Sequence, residues 1–335
     1  MACGWLKASD AGDPALRIDA TSSSHALFRV TAPDGRAAVV KQLTGEAAQR
    51  GRNLAREMFV YRLARWMPAI AALLPRAMVI DERRGLLVVE SLASGAAWPD
   101  PVDLASVAAV CPQLGKAMAA WHRATLDIGA WPSPAIGILG LPDALREARE
   151  DRPPPTQALM DSIAADAVLA AALREAGSSY AHRCLIHGDL RRENWIMDRR
   201  DGSPSLKVFD WELSGTGDPA WDIGGIVAEA VLEQIRESQP GSTPPGGWPP
   251  AIEAAMKTFL HAYAENDGLL DLRERQACEM VTLCAVARLL HVACECADLA
   301  AKADDWPVAG IVACARTLAA GRRKAAAALA RWACR

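Results

Sequence analysis

Apolar and polar residues alternate along the first ninety positions and recur at helical spacing along most of the rest. The alternation predicts strands over Ala15–Ala20, His25–Thr31 and Ala37–Leu43, with Asp34-Gly35 as the turn between the last two. From about Glu46 to Trp66 the period changes, and Leu54, Met58 and Tyr61 fall on one helical face. Pro75–Leu92 returns to period two, as a hairpin turning between Asp81 and Gly85. Beyond Val102 the pattern is helical over Leu104–Thr125 and Gln157–Ala176. It is helical again after a Pro- and Gly-rich linker at Pro240–Pro250, and Trp131–Thr156 reads as an irregular connector.

One stretch interrupts the helices. Within Leu185–Glu212, Trp195–Met197 and Leu206–Phe209 read as short strands, with Asp201-Gly202 supplying the turn. Two polar blocks flank them: His187-Gly188-Asp189-Leu190, with Asn194 five residues past the aspartate, and Val208-Phe209-Asp210-Trp211-Glu212. A hairpin brings these blocks together, with Asp189 on the entering loop, Asn194 where loop becomes strand, and Asp210 ending the second strand. An asparagine amide oxygen beside an aspartate suits Mg²⁺, which takes oxygen ligands and keeps waters for a phosphate partner. The remaining aspartate is then available to orient a hydroxyl nucleophile, the division of labour in kinase-type phosphoryl transfer.

HGDxxxxN followed by a hydrophobic-FDWE block resembles the aminoglycoside phosphotransferase and choline kinase family, small-molecule relatives of protein kinases. The resemblance implies an α+β, protein-kinase-like bilobal fold. A β-rich nucleotide-binding lobe would occupy 1–92, and a mostly helical catalytic and acceptor-binding lobe 93–335. It implies ATP as donor and Mg²⁺, with Asp189 as catalytic aspartate and Asn194 and Asp210 as metal ligands. Lys41 resembles the phosphate-holding lysine, Glu57 its helix-borne partner. The segment from Glu90 to Leu92 matches the hinge whose backbone meets adenine, and Val39 packs on the base. No G-x-G-x-x-G is present; Ser22, Ser23 and Ser24 stand in its place, as phosphate contacts or as an ordinary polar turn. Arg191, two residues after Asp189, offers a fixed cation to the transferring group, or is a surface arginine. Asp222, in a GDPxxD-like segment, reads as a helix cap, as the family's brace for the catalytic loop, or as both. A nucleotide-binding pseudokinase is the alternative class, and the intact Lys41, Asp189, Asn194 and Asp210 argue against it.

Composition narrows the picture further. Of the 335 residues, 51% are hydrophobic, enough for a sizeable core. A net charge of -3 argues against a nucleic-acid binder held by bulk charge. No signal-peptide series opens the sequence, and a cytoplasmic protein is expected. Met280–Ala301 is apolar but carries Arg288, His291, Glu295 and Asp298, so it reads as a buried helix rather than a membrane span. Nine cysteines, mostly in apolar helical sequence, read as free thiols. His291, Cys294 and Cys296 are read as packing rather than zinc ligands, because a C-x-C pair on a helix points to nearly opposite sides. The acceptor is expected to be a small-molecule hydroxyl, or Ser/Thr of a precursor peptide with a partner lyase. Trp306–Arg335 holds six basic and no acidic residues, which runs against a polycation pocket if it borders the acceptor site. Glu265, Asp267, Asp271, Glu274 and Glu279 keep that pocket open.

Overall fold

The alternating N-terminal stretches form one antiparallel sheet: β1 (Arg17–Ala20), β2 (Ala26–Thr31), β3 (Ala37–Gln42), β4 (Ala77–Asp81) and β5 (Leu86–Glu90), in the order β1-β2-β3-β5-β4. Lys41 pairs across the ladder with Leu27 on one side and Leu87 on the other. The change of period at Glu46 produces α1 (Ala48–Leu63), which buries Leu54, Met58 and Tyr61 as its spacing predicts. A short helix, α2 (Pro68–Ala71), follows.

This is a computed structural model, and it describes residues 5–20, 26–43, 48–92, 104–129, 131, 136–143, 151–198, 204–238 and 248–334. Ser22, Ser23 and Ser24 and the Asp201-Gly202 turn lie outside the described residues. Contacts gather the chain into two units, Met1–Pro101 with Glu193–Ser214, and Val102–Arg192 with Gly215–Arg335.

The antiparallel hairpin Trp195–Asp198 / Ser205–Val208 therefore belongs to the first unit, although it lies far beyond residue 92. Its bonds show why. Val208 N–H donates to Leu73 O at 2.7 Å, and Lys207 Nζ donates to Ala72 O at 2.9 Å, meeting carbonyls that the end of α2 leaves without a helical partner.

The second unit is built from α3 (Leu104–Ala124), α4 (Pro154–Ala165), α5 (Ala167–Ser179), α6 (Pro219–Arg236), α7 (Pro250–Glu265), α8 (Arg275–Ala297), α9 (Val308–Ala320) and α10 (Arg322–Ala333). A small strand pair, Cys184–Ile186 with Gly215–Gly217, completes it. The single helix predicted over Gln157–Ala176 is two helices at 85° to one another. Asp166 leaves the helical region and caps α5, accepting from Val168 N at 2.9 Å and Leu169 N at 3.1 Å.

α8 is the centre of this unit, with α6, α9 and α10 packed around it. It is long and apolar enough to cross a membrane, yet 72% of that apolar window is buried inside the protein, as a core helix requires. Gly224 lets α6 approach it closely: a Cβ there would lie 2.7 Å from Cys284 Cβ and 2.8 Å from Ala285 N. The eight described cysteines are free thiols. Among the described residues no group of three His, Cys, Asp or Glu side chains is placed to hold a metal ion. His291 instead meets Glu295 at 3.3 Å.

Candidate active site

In the first unit the ladder points Lys41 toward α1, and α1 turns Glu57 back to meet it. Lys41 Nζ lies 2.7 Å from Glu57 Oε2 and 2.7 Å from Asp210 Oδ1. Glu57 is only 2% exposed, so its charge needs a partner inside the protein. Burial alone would push the Lys41 ammonium down, but the carboxylates of Glu57 and Asp210 outweigh it and hold the group above its ordinary value. Burial pushes the Glu57 carboxyl up to about 7, against the pull of Lys41. The cluster holds two carboxylates and one ammonium, a set that a further cation would balance.

The hairpin delivers the other two oxygens. Phe209 N–H donates to Asn194 O at 2.9 Å, which closes the base of the hairpin and sets Asn194 and Asp210 at adjacent strand ends. Asp210 sits at φ 66, ψ 52, the left-handed region that a short polar residue tolerates better than most. A cavity of about 140 Å³ lies over this constellation. Lys41, Glu57, Asn194 and Asp210 line it, as do Val39, Glu90 and Leu92. The first unit thus gathers every predicted nucleotide and metal residue that is described.

The Glu90 side chain accepts from Arg76 N at 2.8 Å, so it is turned to the neighbouring backbone. Sequence reasoning took Tyr61 only as part of an apolar face. It also lines the cavity, one helical turn after Glu57, and its buried hydroxyl makes no hydrogen bond among the described residues.

In the second unit Asp189 follows a tightly braced turn. Gly188 has φ 85, which glycine adopts without strain. Asp222 receives the loop: His187 N–H donates to its Oδ2 at 2.7 Å and Gly188 N–H to its Oδ1 at 3.0 Å. It is 1% exposed. Of the two predicted roles, Asp222 takes the brace. The cap belongs to Asp218, which accepts from Ala220 N at 2.9 Å. Trp221 adds a third tie, donating from Nε1 to Gly188 O at 2.8 Å.

The Asp189 carboxylate is gripped from two directions. Arg191 Nε donates to Oδ1 at 2.9 Å, and Arg288 Nη2 donates to the same oxygen at 2.7 Å. Burial disfavours the charge, yet Arg288 and Arg191 overcome it and hold the carboxyl well below the usual carboxylate range. Arg191 is not a loose surface residue: its Nη2 also reaches both oxygens of Glu295 at 3.1 Å. Its neighbour Arg192 pairs with Glu233 at 2.9 Å.

Arg288 and Glu295 were missed as site residues. The signal was their position as charges in an otherwise apolar helix. The basic C-terminal helices are partly neutralised: Arg316 pairs with Asp166 at 2.7 Å and Arg322 with Glu175 at 3.0 Å.

Comparison with known proteins bears on family and fold. The sequence model of the phosphotransferase enzyme family (APH) matches residues 16–242. Viomycin phosphotransferase from Streptomyces vinaceus is 36% identical over 89 residues, which span 25% of this chain and 31% of that protein. Choline kinase from Streptococcus pneumoniae has the same fold, with TM-score 0.59 and 14% identity over 91% of this chain and 94% of that one. An ethanolamine kinase from Plasmodium vivax follows at TM-score 0.54 and 14% identity, over 92% and 83%. The fold is protein-kinase-like α+β, and with its family model matched over most of its length, the chain belongs to the phosphotransferase enzyme family.

Proposed function

We propose that this protein moves the γ-phosphoryl group of ATP to a hydroxyl of a small molecule, with Mg²⁺. The observation that carries the reading is the Lys41 ammonium, held 2.7 Å from both Glu57 and Asp210 at the wall of a cavity that Asn194 also lines. Lys41 contacts the α- and β-phosphates, and Glu57 keeps it aimed. The Glu90–Leu92 backbone meets the base, and Val39 packs on its face. Ser22, Ser23 and Ser24 are assigned to the phosphate-side turn.

Asn194 and Asp210 fit Mg²⁺, since both offer oxygen in a cluster with an excess of negative charge. Bound there, the ion would neutralise charge on the β- and γ-oxygens. In the transfer a bond forms between the acceptor oxygen and the γ-phosphorus, and the bond from that phosphorus to the β,γ-bridging oxygen breaks. ADP carries away that electron pair. Asp189, held below the usual carboxylate range, is a weak base, so it aligns the hydroxyl and accepts its proton late. Arg191 and its Glu295 tether hold that carboxylate.

The two units supply a nucleotide-binding part and an acceptor-binding part. Free thiols on all described cysteines suit a reducing cytoplasm. The reading with a peptide Ser/Thr and a partner lyase gains nothing from the relatives, which are kinases of viomycin, choline and ethanolamine.

The test is ATP turnover against viomycin, kanamycin, choline and ethanolamine, with Mg²⁺ titrated from zero. Mg²⁺-dependent transfer to one of these is expected. Saturating Mg²⁺-ATP that neither binds nor turns over would end the reading.

A second expectation concerns Lys41. Lys41→Ala leaves a buried Glu57 charge without its ammonium, an uncompensated loss of about 3–5 kcal/mol. Urea unfolding should show that loss, and nucleotide turnover should fall with it. Adding Glu57→Gln should restore much of the stability and none of the turnover. Turnover recovering in step with stability would show that Lys41 is structural only.

A further inference from the structure

Arg288 has no place in the sequence motifs, and it lies 99 residues from Asp189. It stands in the middle of α8, a helix whose other buried side chains are almost all apolar. At 3% exposure, a guanidinium there is costly: removing a charge from water takes several kcal/mol before any partner is found. An apolar residue of similar volume would pack at that point without the penalty. Among the described residues the cation hydrogen-bonds Asp189 Oδ1 at 2.7 Å, and its Cζ lies over the Trp221 ring at 5.7 Å from the centroid. Trp221 is also a residue that ties the Asp189 loop, through Gly188 O.

The surroundings have one consistent logic. From the loop come His187, Asp189 and Arg191; from α6 come Trp221 and Asp222; from α8 come Arg288, His291 and Glu295. On α8 the three ionic groups fall at i, i+3 and i+7, a single stripe on one helix face. Glu295 at the end of the stripe holds Arg191, and Arg288 at its start holds Asp189 directly. α8 therefore fixes the carboxylate twice, once by contact and once through Arg191. The two anchors differ in kind. Arg191 is part exposed and travels with the loop, whereas Arg288 is set in the core and is little screened by solvent.

We infer that Arg288 is a positioning residue for the transfer step, fixing the Asp189 carboxylate by its Oδ1 so that a constant edge of it is presented to the acceptor hydroxyl. The inference rests on the reading of Asp189 as the acceptor-aligning aspartate. Phosphoryl transfer depends chiefly on placement, and an aspartate free to change rotamer loses that placement. Arg288 touches no reacting atom; its effect passes through Asp189. Removing it should therefore slow turnover and leave nucleotide affinity as it was.

The experiment is a double-mutant cycle on the full chain, read by Mg²⁺-ATP hydrolysis with water as acceptor. Its variants are R288Q, R288K, D189N and D189N/R288Q. R288Q should lower kcat by ~10²-fold and leave KM for ATP within ~2-fold, the split expected when an interaction acts in the transition state rather than in binding. R288K, which keeps a charge and a donor, should recover about tenfold of that loss. D189N/R288Q should be no slower than D189N, because Arg288 has nothing left to position.

A folded R288Q with parental kcat overturns the inference. So does a double variant that falls by the product of the two single effects. If R288Q does not fold, the cycle is read on R288K. D189N that hydrolyses ATP at the parental rate would instead remove the assignment of Asp189, and the R288Q result would then stand apart from it.

Discussion

Asp210→Asn is expected to lower Mg²⁺-ATP turnover by at least ~10³-fold, about 4 kcal/mol of transition-state stabilisation. The substitution is chosen for its backbone. Asp210 sits at φ 66, where asparagine is comfortable and alanine is strained, so the shape of the hairpin end is kept and only the charge is removed. Two contributions are lost together. The oxygen pair that suits Mg²⁺ loses its carboxylate, and Lys41 loses one of the two partners that sit 2.7 Å away. Isothermal titration should show Mg²⁺-dependent nucleotide affinity falling, with circular dichroism unchanged. Parental affinity for Mg²⁺-ATP in this variant would remove Asp210 from the proposed metal site.

Asp189→Asn should have a comparable effect by a different route: turnover down by ~10²–10⁴-fold, the range for a lost proton-handling group, with ATP binding preserved. Asparagine has the same volume, but its amide can offer a donor where the carboxylate accepted. It also meets two guanidiniums, Arg191 and Arg288, that now share one carboxylate fewer. Some loss of stability is expected for that reason, and thermal unfolding would register it. Single-turnover kinetics separates the two outcomes. A slow chemical step with normal ATP binding supports the alignment role, and unchanged chemistry excludes it.

The strands and the first helix were legible because each rests on a local period. Val39, Lys41, Glu57 and Tyr61 could be placed on faces by counting residues, and the structure brings Lys41 to Glu57 across 16 positions. The hairpin from Trp195 was legible from alternation and turn residues. What could not be read locally was which partner each charge finds. Asp222 had the position of a first-turn acid on α6; its spacing alone fits a helix cap, and only the family resemblance offered the loop brace that its bonds to His187 and Gly188 make. Arg288 was noticed only as a charge that spoils a membrane span. The break at Asp166 was hidden because the apolar pattern runs through it, and a single capping side chain decides the bend.

The hairpin's place in the first unit bears on how the chain is made. A ribosome releases β1 to β5 and α1 early, and those elements have mostly local contacts to make. The carbonyls of Ala72 and Leu73 then wait for Lys207 and Val208, and Lys41 waits for Asp210. Until residue 214 has emerged, β3 and α1 hold a buried lysine–glutamate pair with its third member missing. Nascent chains shorter than that should hold a partly formed first unit unable to retain nucleotide, and the fragment 1–101 made alone should share that defect however well its sheet forms.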